Sequence, residues 1–403
     1  MLDANKRWLY DYDGNTCANE NSLVMESCYV QGLGDIDYSD AAGVLVAQPD
    51  EASVTLRYAS LGNLADEPNY GARIFLTDGD SGGYAVLDPL GGEVQFTVDL
   101  SKVPAGMRAV VSLLAMDRLG NLGDTYPSGQ RNGAGWRRGL GYCSASCPRT
   151  EPFVRGVGWN AENNFMSCCS EIKLLEANRF SSAISAHPCV LVDRTILSPE
   201  RGKNLCHDAY DPFCRICSSS TGEANEFRRR GPGHALFELL DLSRPVTVRT
   251  RFHSEDGTLQ RIEQILEQPS VGSGAARGFS MNITDAGQVF LQGLYGEKSD
   301  GFSFKNLGGL KTVGNQLRQG MVLAIELSAF SDAAEVSGAA VDDAERSVDA
   351  TTAAVEVGRL DSCVSASDRY NCTEHRVFDA VDIFGEAWQV APGAWRGPVD
   401  WQA

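Results

Sequence analysis

The chain has 403 residues, with 53 acidic against 35 basic side chains and a formal net charge of −18 at pH 7. That surplus argues against a nucleic-acid partner, which calls for a basic face, and it fits a neutral polysaccharide or acidic surroundings outside the cell. No run of about 18 apolar residues suggests a membrane-spanning helix, and Met1-Leu2-Asp3-Ala4-Asn5 has no apolar stretch of the kind that opens a secretory leader. A length of 403 residues ordinarily implies two or three domains, yet β-sandwiches exceed the usual domain size and no convincing linker divides this chain, so residues 1–403 are read as one domain.

Taken in chain order, the pattern is one of many short strands. The runs Ala109 to Ala115, Val246 to Phe252 and Met321 to Leu327 are apolar and bounded by turn residues, and 42 glycines with 15 prolines supply the turns. Residues 171–180 and 258–267 fit a helical spacing as well; long amphipathic helices are otherwise scarce. Arg228-Arg229-Arg230 reads as a solvated turn, and Gly272-Ser273-Gly274 as a turn, since no strand-to-helix context makes it a phosphate loop. Between 329 and 358 the chain is rich in Ala, Asp, Glu, Ser and Val, a composition suited to a mobile loop.

Twelve cysteines, an even and clustered set, favour disulfides over metal ligation and hence an oxidising compartment. Cys214-Arg215-Ile216-Cys217 has zinc or redox spacing, but no second such pair or nearby histidine accompanies it. Asn282-Ile283-Thr284 and Asn371-Cys372-Thr373 are glycosylation sequons, compatible with secretion. The five histidines, His187, His207, His234, His253 and His375, form no metal or nucleophile motif.

The chemistry is concentrated in Cys168-Cys169-Ser170-Glu171-Ile172-Lys173-Leu174-Leu175-Glu176-Ala177-Asn178. Two carboxylates in different surroundings are the minimum for retaining glycoside hydrolysis, one as nucleophile and one as general acid/base. On a regular strand, Glu171 and Lys173 share a face while Glu176, five residues on, points the other way. In a helix the two glutamates lie about 140° apart. Both face one cleft only if the strand carries a β-bulge, a device frequent beside active sites.

This segment resembles the catalytic signature of glycoside hydrolase family 7, the cellobiohydrolases and endoglucanases. Collinear matches extend from residue 2 to about 385: Leu2 to Trp8, Tyr70-Gly71-Ala72-Arg73-Ile74-Phe75-Leu76, Phe96 to Ser101 with Pro104, Met116-Asp117, Tyr126-Pro127, Gly141 to Arg149, His187-Pro188-Cys189, Gly231-Pro232-Gly233, Gly308-Gly309-Leu310, Gly320 to Leu323, and a terminal strand near Val377 to Gly385. The resemblance implies an all-β, concanavalin A-like jelly-roll β-sandwich with a concave substrate cleft. It assigns Glu171 as nucleophile and Glu176 as acid/base, with Trp8, Tyr126, Tyr142 and His187 lining the cleft. It further implies a monomer that acts on cellulose or a related β-1,4-glucan without metal or organic cofactor. Cys143 is expected to pair with Cys169, Cys147 with Cys168, Cys189 with Cys206, Cys214 or Cys217, Cys363 with Cys372, and Cys17 with Cys28. By the same comparison the chain begins inside the mature domain of a secreted enzyme, without its first strand and leader.

Departures fall where the chemistry is. Lys173 replaces the aspartate between the glutamates, Leu175 a tryptophan, Ser144 an aspartate beside the nucleophile, and Ser146 a glutamine. Glu326-Leu327-Ser328-Ala329 stands where the family has a tryptophan platform, and Lys6 replaces a sugar-stacking tryptophan. A cation between two carboxylates lowers both pKa values and works against a general acid. Lys173 is expected either to pair with Glu171 or to point out of the cleft. The alternative to an enzyme is a catalytically inactive β-glucan-binding protein on the same fold.

Overall fold

The computed structural model describes residues 1–6, 9–10, 29–30, 44–46, 53–60, 69–78, 82–104, 107–123, 132–133, 135–146, 153–154, 157–158, 168–191, 215–217, 222–224, 236–270, 272, 276–285, 303–329, 354–365 and 372–377. The main strands, in chain order, are β1 (Val44–Val46), β2 (Ser53–Arg57), β3 (Ala72–Phe75), β4 (Val86–Leu87), β5 (Glu93–Asp99), β6 (Met107–Leu114), β7 (Glu171–Ala177) and β8 (Ser182–His187). They continue with β9 (Gly222–Ala224), β10 (Val246–Glu255), β11 (Thr258–Gln268), β12 (Arg277–Ile283), β13 (Met321–Ala329), β14 (Ala354–Ser365) and β15 (Cys372–Val377).

These strands form two antiparallel sheets. The seven-stranded sheet runs β9-β8-β7-β6-β13-β3, with β4 also paired to β13; the eight-stranded sheet runs β12-β11-β10-β5-β14-β2-β1, with β15 beside β14. Alternation along the strands decides which side is buried. In β5, Val94, Phe96 and Val98 are buried while Glu93, Gln95 and Thr97 are only partly so; in β6, Ala109, Val111 and Leu113 join the same core. The inward rows of both sheets merge into one apolar layer, with Ile172, Leu174, Leu323 and Leu327 from one side and Val248, Phe252, Ile262 and Leu266 from the other. Full burial of such side chains contributes about 1.5–3 kcal/mol each, so the sandwich core is what fixes the strand faces.

Three sequence expectations are corrected here. Residues 258–267 are strand, not helix: β11 pairs with β10 along its length, and a register slip places Leu259 opposite Ser254 but Arg261 opposite His253. That slip, together with the buried polar Gln264, breaks the simple alternation and makes Leu259, Ile262 and Leu266 mimic helical spacing. The mobile loop proposed for 329–358 is too long at its end, because Ala354 to Gly358 pair with β2; residues 330–353 lie outside the described set. An eleven-residue helix, α1 (Gly309–Gln319), was not anticipated. Its Leu310, Val313 and Leu317, spaced at helical intervals, are buried and belong to the core. Gly308 and Gly320, with φ of 92° and 89°, bound it in conformations that suit glycine.

Candidate active site

The segment Glu-Ile-Lys-Leu-Leu-Glu-Ala forms β7 with a bulge in its middle. Opposite β6, Lys173 pairs with Ser112 and Leu175 with Val111, so Leu174 is extra. Opposite β8, Lys173 pairs with Ser185 and Glu176 with Ala183, so two residues of β7 again face one of β8. Leu174 and Leu175 are both fully buried in the core, since each finds apolar neighbours there that neither would find outside. Glu171, Lys173 and Glu176 therefore share the outer face. An unbroken strand would have driven Glu176 into the core.

Glu171 is 6% exposed and is held by neutral donors. Ser112 Oγ donates to its Oε1 at 3.0 Å, and the Ala145 amide donates to its Oε2 at 3.3 Å. The amide is brought there by the segment Gly141–Ser146, which the Cys143–Cys169 disulfide ties to the start of β7. The Cys169 amide donates to the Ser144 carbonyl at 3.1 Å, which reinforces the tie. Ser144 itself turns away, its hydroxyl 2.8 Å from that of Ser146. Ser112 and a backbone amide are thus the groups that hold Glu171, and the Ser144 hydroxyl is not one of its donors.

Glu176 has the opposite surroundings. Lys173 Nζ lies 2.8 Å from its Oε2, and Arg108 Nη1 lies 2.8 Å from its Oε1. Burial alone would raise this carboxyl, but the Lys173 and Arg108 charges outweigh it and hold the pKa below the ordinary value. Burial works to lower the Lys173 ammonium; Glu176 and Glu171 overcome that and raise it, so it stays charged. Lys173 takes neither expected course: it pairs with Glu176, not with Glu171, because the bulge leaves those two outward residues one effective step apart. Arg108 is anchored in turn by Ser328, which accepts from its Nε at 3.2 Å.

A second charged group lies one row across. In register, Val110 sits between Glu176 on β7 and Glu326 on β13, and Glu326 faces Arg73 on β3. Arg73 Nε donates to Glu326 at 2.7 Å, Nη1 pairs with the fully buried Asp3, and the guanidinium lies 3.5 Å from the Tyr142 ring centroid. Burial would raise Glu326, but Arg73, with Lys6 next, draws its pKa well down. Lys6 thus adds charge where the resemblance leads one to expect an aromatic surface.

The other expected site residues are distributed unevenly. Tyr142 is 7% exposed, packed against Phe75 and beneath Arg73, so it braces the floor through its ring rather than offering a bare face. His187 is half-buried and directly opposite Glu171 at the end of β8. Trp8 and Tyr126 lie outside the described residues. Sequence reasoning missed Arg108, Ser112 and Arg73. The available signal was the polar residues Arg108 and Ser112 at even spacing within an otherwise apolar strand.

Cys143 pairs with Cys169 as the resemblance implies, and Cys189 takes Cys217 among its three options. Cys217 is therefore spent in a disulfide. Cys168 is also disulfide-bonded, and Cys147, its expected partner, lies outside the described residues, as do Cys17, Cys28, Cys206 and Cys214. The side chains of Cys363 and Cys372 fall outside them too.

Comparison with known proteins agrees with this architecture. The sequence profile of glycosyl hydrolase family 7 matches residues 1–382. A family 7 cellobiohydrolase from Daphnia pulex superposes with a TM-score of 0.66 at 22% identity, covering 89% of this chain and 90% of that one. A cellobiohydrolase from Melanocarpus albomyces complexed with cellotetraose gives 0.65 at 22% identity, with the same coverage of both chains. An endoglucanase I complexed with cellobiose gives 0.65 at 20%, again covering 89% and 90%. The fold is accordingly the jelly-roll β-sandwich read from the sequence, and the chain belongs to glycosyl hydrolase family 7.

Proposed function

We propose that the outer face of the seven-stranded sheet binds a β-1,4-glucan and that the chain hydrolyses it with net retention. The observation that carries this reading is the bulge at Leu174, which sets Glu171 and Glu176 on one face. Family membership and the bound cellobiose and cellotetraose in two similar structures support the substrate class. Glu171, which among the described residues accepts only from neutral donors, is the nucleophile: it attacks the anomeric carbon as the glycosidic C–O bond breaks. Glu176 gives its proton to the departing oxygen, then takes one from the water that resolves the glycosyl-enzyme. Secretion of a one-domain monomer fits the disulfides and the exposed Asn282 of the first sequon.

The clamp on Glu176 modifies this scheme. Two cations suppress its protonated form, so cleavage of unactivated glucan is confined to acidic pH, whereas aryl cellobiosides whose leaving group needs no proton escape the limit. The test is to follow the first-released anomer by proton NMR on an aryl β-cellobioside and on soluble glucan. The β-anomer, faster turnover of the activated substrate, and loss of both with Glu171→Gln are expected. Release of the α-anomer, or an unaffected Glu171→Gln variant, would overturn the assignment. The same clamp favours a second reading, a glucan-binding protein without turnover. Binding of cello-oligosaccharides with no cleavage of either substrate at any pH would select it.

A further inference from the structure

Gln264 lies in the middle of β11 with its side chain turned into the sandwich and no part of it exposed. A glutamine among Ile262, Leu266 and Leu174 is costly, because a buried polar atom left without a partner gives up its hydrogen bonds to water and gets none in return. Its Oε1 has no partner among the described residues, and neither has Oγ1 of Thr250, which faces it on β10. Its Nε2 reaches across the interior to the other sheet and donates to the carbonyl of Leu174. Leu174 is the bulge residue of β7. An extra residue leaves ladder groups unpaired, and a carbonyl so released inside an apolar layer requires a donor.

We propose that Gln264 is a positioning residue for the active site: by satisfying the carbonyl that the bulge frees at Leu174, it holds the register slip that sets Glu171 and Glu176 on one face. The connection runs from the eight-stranded sheet, through the core, to the strand that carries both glutamates. Gln264 touches neither substrate nor the glutamates and acts only through the backbone of β7. Its consequence for turnover rests on the two-glutamate reading above; its consequence for the bulge does not.

The test compares Gln264→Met, similar in size without a donor, with Gln264→Asn, whose amide is one methylene too short. The first readout is the titration of Glu176, followed by NMR on ¹³C-labelled glutamate and assigned with Glu176→Gln. Lys173 and Arg108 clamp that carboxyl only while it faces outward, so its midpoint moves up in both variants. Thr250→Val, which removes a neighbouring polar atom without touching Leu174, leaves it in place. The second readout is turnover of soluble glucan, where kcat falls about 10²-fold at little-changed KM, as for a small misplacement of reacting groups. Gln264→Glu supplies the rescue and a variant of parental size should the others not fold. Its carboxyl, raised by burial, donates again once protonated, so the parental kcat returns as pH falls. An unmoved Glu176 titration in a folded Gln264→Met or Gln264→Asn chain, or a Gln264→Glu chain that behaves as the parent at every pH, overturns the proposal. A parent without turnover defeats the hydrolase reading alone, since the titration still reports on the bulge.

Discussion

Glu176 is pulled in two directions, and the balance is set by single side chains. In its proposed role of general acid it must carry a proton, yet Lys173 and Arg108 each stand 2.8 Å from one of its oxygens. Lys173→Met removes one cation and leaves Arg108, so the carboxyl pKa rises and the alkaline limb of the pH–rate profile moves up with it. A profile that stays where it was would show that Lys173 does not govern the acid. The pairing also has a stability consequence of definite sign. A carboxyl whose pKa is lowered on folding contributes stability above its unfolded value, about 4.3, and loses it as pH falls through the folded value. Urea unfolding of the parent and of Glu176→Gln, compared at about pH 7 and about pH 3, is expected to show a shallower acid loss in the variant. An identical loss in both would place the acid-sensitive group elsewhere, Glu326 being the next in line. Both glutamates were legible in the sequence, since their motif is contiguous. Their partners were not: Arg108 and Ser112 come from a strand some 60 residues earlier and meet β7 only through sheet register.

At the scale of elements, the bulge is the feature that sequence logic reached and the structure supplies. Glu171 and Glu176 at a spacing of five, with Leu174 and Leu175 between Lys173 and Glu176, reconcile an apolar inward face with a charged outward face only by one extra residue. The same device in β11 misled, because there the slip converted a period of two into a false helical spacing. The true helix, α1, escaped notice, its Leu310, Val313 and Leu317 interrupted by Gly314. That glycine has a packing reason. A Cβ at 314 would lie 2.8 Å from Leu259 Cβ, where α1 crosses β11. Gly→Ala in a helix interior ordinarily stabilises by up to about 1 kcal/mol, but overpacking of this kind costs about 1–3 kcal/mol. Gly314→Ala is therefore expected to lower the urea midpoint, and a raised midpoint would show that α1 can slide on β11.

Across the two sheets, the apolar runs and turn residues made many short strands readable, while the sandwich itself was readable through the resemblance to the family; the core then follows from alternation along those strands. The depth of the family likeness was readable too, through matches that keep their order. What the chain does with its altered floor was not, because the answer depends on charges assembled from β3, β6, β7 and β13. Glu171 and Glu176 are proposed to act together on a glucan in spite of the clamp. The deciding measurement is release of reducing ends from a soluble β-1,4-glucan, across acidic pH, for the parent, Glu171→Gln and Glu176→Gln. Activity in the parent that rises as pH falls and disappears in both variants is the predicted result. A parent with no activity at any pH, or cleavage that persists without either glutamate, would contradict it.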